Sequence, residues 1–407
     1  MTDNLNQGRD PGVDQDEKSE NVLAHFRPLL LLALIFFLNF MARIILAPLL
    51  PTIEKDLGIG HGEAGSLFLL ISVGFFPALL GSGYFSSRLT HRKTIILSST
   101  MLGMALLGVS MSHSLWGIRL ALIFLGMAAG LYLPSGIATL TSMVALRHWG
   151  KALAIHELAP NLSFVVAPLV AEVFLGWFSW RGVIAFLGGA SLFVSMVFTR
   201  FGKGGEFHGE APSLKSFMAL LADSNFRILV VLFCLAVAAS MGIFAMLPLY
   251  LVTEQAMDQN HANTLIALSR ISGPGMAFIA GWAVDRLGPR RTLSGICLLS
   301  GLTTVMLGIA QGTWMILVIF LQPALAVSFF PAGFAALALI GPPGIRNLAV
   351  SLSIPIAFLF GAGAIPIGIG IAGDAGSFSL GIFAVGVVIS AGFIFSLYLR
   401  FPEQKQG

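Results

Sequence analysis

Long apolar blocks, broken by short stretches rich in charge, glycine and proline, fill this 407-residue chain from about residue 28 to residue 399. A hydrocarbon core of about 30 Å is crossed by roughly 20 apolar helical residues. On that scale the blocks divide into twelve predicted spans: 28–51, 63–84, 94–112, 116–141, 152–174, 182–199, 228–252, 263–284, 292–310, 314–339, 348–371 and 378–399. The predicted fold class is all-α and integral to a membrane. Composition agrees, since 56% of the residues are hydrophobic, 10% are charged and the mean hydropathy is +0.89, against about 25% charged in soluble domains.

Charge then orients the spans. An even number puts both termini on one side, and 18 of the 23 Lys and Arg share that side, among them Arg27, Arg88, Arg92, Lys93, Arg147, Lys151, Arg286, Arg290, Arg291 and Arg400. Cytosolic loops retain Lys and Arg, so both termini are expected in the cytosol and the protein in the inner (plasma) membrane. The same rule accounts for the pI near 9.3 without a nucleic-acid partner. Residues 1–26 are polar, lack the apolar core of a signal peptide and read as a disordered cytosolic tail. Residues 400–407 form a second cytosolic tail. Cys234 and Cys297 both fall in apolar segments and offer no disulfide framework or metal-thiolate motif.

The longest interior connection, residues 200–227, is charged and separates six spans from six, so it reads as a cytosolic linker between halves at 27–199 and 228–399. Overlaying the halves supports a duplication. Gly83 and Gly281 are 198 apart, Pro134 and Pro331 197, Pro168 and Pro366 198, and Pro48 and Pro248 200. Each pair falls at the same place in corresponding spans, an arrangement typical of secondary transporters.

Between spans 8 and 9 stands "GWAVDRLGPRR", residues 281–291. With the twelve spans and the 6+6 repeat, this loop resembles the signature of the major facilitator superfamily, and the resemblance covers essentially the whole chain. It implies two pseudo-symmetric six-helix halves around a central cavity, and a cytosolic latch: Gly281 for close helix approach, Asp285 to accept hydrogen bonds or meet a helix N-terminus, and Arg286 beside it. The corresponding first-half loop, "GYFSSRLTHRK" at 83–93, keeps Arg88, Arg92 and Lys93 but has Ser87 where the family usually has an acid and Thr90 in place of its second glycine. Proton antiporters of the superfamily usually carry an arginine in span 4 where this chain has Leu122, with Arg119 about a turn earlier. Drug/proton antiport is accordingly less favoured.

Spans 3, 6, 9 and 12, as drawn, contain no charge, which fits the family's peripheral helices. The ionisable groups inside the other spans are Arg43, Arg119, His156, Glu157, Glu172 and Arg270. At about 1.5 Å per helical residue, Arg43 lies about 24 Å from Arg27 and Arg270 about 22 Å from Asp285, so the two share a depth near the middle of the membrane. An arginine at a helix centre costs about 2.5–3.5 kcal/mol even on lenient scales and normally faces protein or a wet cavity. A guanidinium is a fixed cation whose planar donors suit carboxylate, phosphate or nitrate. Arg270 and Arg43 are therefore candidate substrate contacts, with Asn39 one turn before Arg43 on the same stripe. Organic-anion branches of the superfamily, such as monocarboxylate and oxalate carriers, resemble this chain in carrying a substrate-binding arginine in span 8. Each arginine has the alternative of being a structural pin.

Glu157, Asn161, Pro168 and Glu172 follow spacings of 4, 7 and 4 along span 5 and share one face. A carboxyl in low dielectric favours its neutral form, so Glu157 is a candidate proton carrier, beside a titratable His156. The alternatives are a cytosolic-gate ion pair for Glu157 and a packing role for His156. No Walker loop, zincin pair or nucleophile–base arrangement occurs, so no enzyme, cofactor or metal is expected. These features predict a monomeric secondary transporter for a small organic anion, taken up with a proton by alternating access. The alternatives are an exporter of amphiphilic compounds or lipids and a non-transporting membrane sensor or assembly factor.

Overall fold

The computed structural model describes residues 26–209, 218, 220–340 and 343–401, with the helical backbone alone for 26 and 343–348. Most of both expected tails and the middle of the expected linker lie outside the described residues. Among the described residues, twelve apolar helices are long enough to cross a membrane: α1 (Arg27–Leu57), α2 (His61–Leu89), α3 (His91–Met111), α4 (Leu115–Ser142), α5 (Leu146–Leu175), α6 (Trp180–Phe201), α7 (Ser224–Thr253), α8 (Gln259–Leu287), α9 (Pro289–Ile309), α10 (Thr313–Leu337), α11 (Ala349–Asp374) and α12 (Phe378–Leu397). Among the described residues there is no strand. Several helices run further than hydropathy suggests. Helix α1 continues through Pro51 to Leu57, and α3, α6 and α9 include terminal Arg and Lys residues that the predicted spans exclude. Helix ends need no apolar side chains once they reach the interface.

Glycine sets how tightly helices pair inside each half. A Cβ at Gly126 of α4 would lie 1.9 Å from the Ile71 carbonyl of α2, and one at Gly74 would lie 2.0 Å from the Ile123 carbonyl. Small residues let backbones approach when no hydrophobic driving force separates protein from lipid. Helix α3 pairs with α6, and α9 with α12, outside the central group. None of these four contributes to the interior cavities described below.

The spans present two ends, here called the basic face, with Arg88, Arg147, Arg286 and Arg290, and the far face, with the loops after α1, α5, α7 and α11. At the far face the halves are joined. Leu46–Leu57 packs on Ile243–Thr253, and Ile365–Asp374 on α2. Asn263 of α8 donates to Glu172 of α5 at 2.6 Å and to the Pro48 carbonyl at 3.2 Å. Gln259 donates to the same carbonyl at 3.0 Å. Toward the basic face α8 packs on α9 and α10 of its own half, and its Gly273–Leu287 stretch buries only Gly273 and Ala280. The bundle is therefore closed at the far face and open toward the basic face between α5 and α8.

Candidate functional site

Five helices lose regular α geometry near the two interior arginines, α10 among them at Ser328. Helix α1 breaks at Ile45, two residues after Arg43, and α8 tightens to a 3-10 turn at Arg270–Ser272. Helix α7 widens to a π-turn at Ala238–Gly242 and α11 to one at Phe358–Ala364. π-turns leave carbonyls without their usual partner and recur at functional sites. In α7 the Ser240 carbonyl accepts from Arg270 Nη2 at 3.1 Å. In α11 the first residue of the turn, Phe358, lies under Arg43. The two turns touch at glycine, because a Cβ at Gly242 would sit 2.5 Å from the Gly361 carbonyl.

Arg43 is 7% exposed and Arg270 5%. The Arg43 guanidinium is held by rings, with its central carbon 4.6 Å from Phe40, 4.8 Å from Phe75 and 5.0 Å from Phe358. Arg270 stands 4.6 Å from Phe164 and 4.9 Å from Phe244. Such contacts contribute about 0.5–2 kcal/mol each, more when desolvated. They do not replace hydrogen bonds: Nε and Nη1 of both arginines are buried without a partner among the described residues. Arg43 opens on a cleft of about 390 Å³ bounded by α1, α2, α7 and α11, with Ser72, Phe75, Phe244 and Phe358 on its walls. Arg270 opens on one of about 230 Å³ between α5, α8 and α10, with Asn161, Phe164 and Ser269. Phe244 belongs to both surroundings, and Phe40 meets Phe164 edge-on at 5.3 Å.

The remaining candidates divide. Asn39 is buried and donates to the Ala129 carbonyl of α4 at 3.2 Å. It lines neither cleft, and the Arg43 stripe does not extend to it. His156 is fully buried, stacks on Phe36 with centroids 4.2 Å apart and approaches the Tyr132 hydroxyl through Nε2 at 3.1 Å. Its neighbour Glu157 is 57% exposed on the open side, with Oε1 3.8 Å from His156 Nδ1. Asn161, one turn further, donates to the Glu157 carbonyl at 2.9 Å and lines the Arg270 cleft. The shared face expected of Glu157, Asn161 and Glu172 thus turns toward the second half.

At the basic face the expected latch is open. Asp285 and Arg286 are exposed, and no described residue pairs with Asp285. A Cβ at Gly281 would meet open space, so this glycine marks no close approach among the described residues. Arg88 rests over Tyr84 at 5.3 Å. Arg119 pairs with Glu63 of α2, within its own half.

Sequence reasoning did not reach three features. The phenylalanines around the arginines are lost among 33 Phe in an apolar chain. The π-turns carry no signal beyond the local wealth of Gly and Ala. Ser72, buried with no described partner at the Arg43 cleft, is one serine among many.

Comparison with known proteins finds that the family model described as Major Facilitator Superfamily matches residues 32–321. "Probable sulfoacetate transporter SauU" of Cupriavidus necator is 21% identical over 172 residues, 42% of this chain and 40% of that protein, so the chain matches well under two thirds of that relative's length. Multidrug resistance protein MdtG of Enterobacter lignolyticus is 23% identical over 311 residues, 73% of this chain and 74% of that protein. Among solved structures, a bacterial homologue of the human lysosomal transporter Spinster, inward-facing and occupied, superposes with a TM-score of 0.79 at 14% identity, covering 93% of this chain and 97% of that one. A D-xylose–proton symporter gives 0.75 at 15% identity, covering 93% and 98%.

Proposed function

This chain belongs to the major facilitator superfamily, and on that footing we propose that it is a secondary transporter that takes up a small organic anion together with a proton. The observation that carries the reading is the pair of buried arginines, Arg43 and Arg270, whose Nε and Nη1 lack partners among the described residues at the junction of the two halves. A buried, incompletely paired cation is costly, and an anion arriving from solvent supplies the missing acceptors. The sulfoacetate transporter among its relatives supports a carboxylate or sulfonate headgroup.

In this reading the basic face is cytosolic, by the retention of Lys and Arg on that side of the membrane, and the conformation described is open to the cytosol. Rocking of the halves closes α5 on α8 at the basic face and separates α1 from α7 and α2 from α11 at the far face. Asp285 and Arg286 then meet the neighbouring half and hold the cytosolic side shut. Glu157, at the open mouth and one turn from the Arg270 cleft, carries the proton.

A second reading, export of amphiphilic compounds, is favoured by the multidrug relative and by the aromatic walls of both clefts. Proteoliposomes separate the two. Labelled small carboxylates and sulfonates accumulate under an inward proton gradient if the anion reading holds. Uptake indifferent to pH and to substrate charge, with transport of neutral amphiphiles, sinks it.

A further inference from the structure

His156 is fully buried, and its neighbours fix which of its two ring nitrogens carries a hydrogen. The Tyr132 hydroxyl lies 2.8 Å from the Leu32 carbonyl and 3.1 Å from His156 Nε2. A hydroxyl has one hydrogen to donate, and a carbonyl can only accept. That hydrogen therefore goes to Leu32, and the hydroxyl oxygen accepts from His156. Nε2 carries a hydrogen whether the ring is neutral or charged, and Nδ1 is the nitrogen left to gain or lose one.

Nδ1 is buried with no hydrogen-bond partner among the described residues, and Glu157 Oε1 stands 3.8 Å away. Glu157 is 57% exposed and links this nitrogen to the open side. Rotation about its own side-chain bonds can close the remaining gap. A charged ring would then be held on every side: Nε2–H on the Tyr132 oxygen, Nδ1–H on the Glu157 carboxylate, and its face on Phe36, with centroids 4.2 Å apart and planes 7° from parallel. An aromatic face and a paired carboxylate are what make a buried cation tolerable. The charges of the helices packed around α5 are engaged elsewhere. Arg43 of α1 stands over Phe40, Arg119 of α4 pairs with Glu63, Arg181 of α6 pairs with Asp56, and Arg270 of α8 donates to Ser240. On α5 itself Glu172 accepts from Asn263, and Lys151 is exposed.

We propose that the coupling proton is bound at His156 Nδ1, received from water by way of the Glu157 carboxylate, with Tyr132 as the positioning residue that keeps Nε2 protonated. The proton leaves hydronium at the open side, joins a carboxylate oxygen, and passes to the lone pair of Nδ1. A neutral ring beside a carboxylate becomes an imidazolium–carboxylate pair, and one negative charge becomes none. The proposal rests on the reading of the chain as proton-coupled and names the atom that binds the proton.

The test is nitrogen magnetic resonance of the full chain, isotopically labelled at histidine and held in lipid nanodiscs, across a range of pH. His156→Gln identifies the His156 signals by their loss. At alkaline pH the ring is expected to be protonated at Nε2 and bare at Nδ1, and on acidification Nδ1 is expected to take up the proton. A neutral ring protonated at Nδ1, or one that stays neutral until the protein unfolds, overturns the proposal. Glu157→Gln is expected to weaken proton binding at Nδ1 at least tenfold, and Tyr132→Phe to release the Nδ1–H form of the neutral ring. A Tyr132→Phe ring still held wholly in the Nε2–H form overturns the positioning role. Should His156→Gln fail to fold, the histidine signals moved by both of the other variants are those of His156. In proteoliposomes, accumulation of labelled carboxylates driven by a proton gradient is expected to fall at least tenfold in His156→Gln, and parental accumulation by the folded variant overturns the coupling role. A parent that titrates at Nδ1 but accumulates no carboxylate or sulfonate overturns the cargo reading and supports the proton site. A parent that accumulates them while His156 stays neutral overturns the proton site alone.

Discussion

The Asp374 carboxylate at the end of α11 accepts hydrogen bonds from the backbone amides of His61 at 2.7 Å and Gly62 at 2.8 Å, in the first turn of α2. A side chain of the second half thereby caps a helix of the first. The first N–H groups of a helix have no partner within it and carry partial positive charge, so a carboxylate at this point both fills vacant donors and meets the dipole. Glu54 and His61 stand beside the contact, 2.6 Å apart.

Asp374→Asn keeps the size of the side chain but removes its charge, and a charge-assisted contact of this kind contributes about 1–2 kcal/mol. The closed far face is expected to lose about five- to thirty-fold in its population relative to the open one. Spin labels at Lys55 and Ala375, both exposed at the far face on opposite halves, with Cys234 and Cys297 replaced, report the change as a longer distance component. An unaltered distribution would show that the cap does not hold this face.

At Arg270 the prediction concerns geometry rather than charge. Its Nη2 is committed to the Ser240 carbonyl and its flat face to Phe164 and Phe244, so the remaining nitrogens are presented in a fixed direction. Lysine retains the charge but loses the plane and the fork. Arg270→Lys is expected to weaken cargo binding at least tenfold, or about 1.4 kcal/mol. Ser240→Ala is expected to be silent because the acceptor is the backbone. Equal affinity for Arg270→Lys and the parent, measured by equilibrium binding, would take the guanidinium out of the site.

Much of this arrangement was legible in the sequence because bilayer physics is written in long runs. The twelve helices follow from apolar length. What lies around each arginine was not legible. The repeat of 3.6 residues describes a regular helix, whereas the candidate site lies where α1, α7, α8, α10 and α11 depart from it, at Ile45, Ala238–Gly242, Arg270–Ser272, Ser328 and Phe358–Ala364. Asn39 illustrates the limit. Its spacing from Arg43 is right for a common face, yet the Ala129 carbonyl of α4 claims its amide. Partners of that kind come from tertiary contact and leave no periodicity.

The meeting of the two π-turns makes a prediction about packing. A Cβ at Gly361 would lie 2.6 Å from both the Ala238 nitrogen and the Cys234 carbonyl, and backbone cannot step aside as a side chain does. Overpacking of this kind costs about 1–3 kcal/mol. Gly361→Ala is expected to lower the midpoint of thermal unfolding in detergent by several degrees. Gly281→Ala and Gly368→Ala, whose added methyls meet open space in this conformation, are the controls and are expected to leave it within a degree or two. A Gly361→Ala protein as stable as its parent would show that α7 and α11 can separate at no cost.

Glu157 is the place to separate coupling from binding. Its carboxyl is 57% exposed at the mouth of the open side, and among the described residues it has no Lys or Arg partner. His156 beside it is locked between Phe36 and Tyr132. In the proposed cycle this carboxyl is reached by water in the conformation described and enclosed when α5 closes on α8. Glu157→Gln fixes the uncharged state. It is expected to abolish accumulation driven by a proton gradient while leaving exchange of labelled for unlabelled cargo across the membrane within about twofold, because exchange requires no net proton movement. The two assays on one preparation decide the point: accumulation at the parental level removes Glu157 from coupling, and loss of both activities assigns it to binding or to the movement of the halves instead.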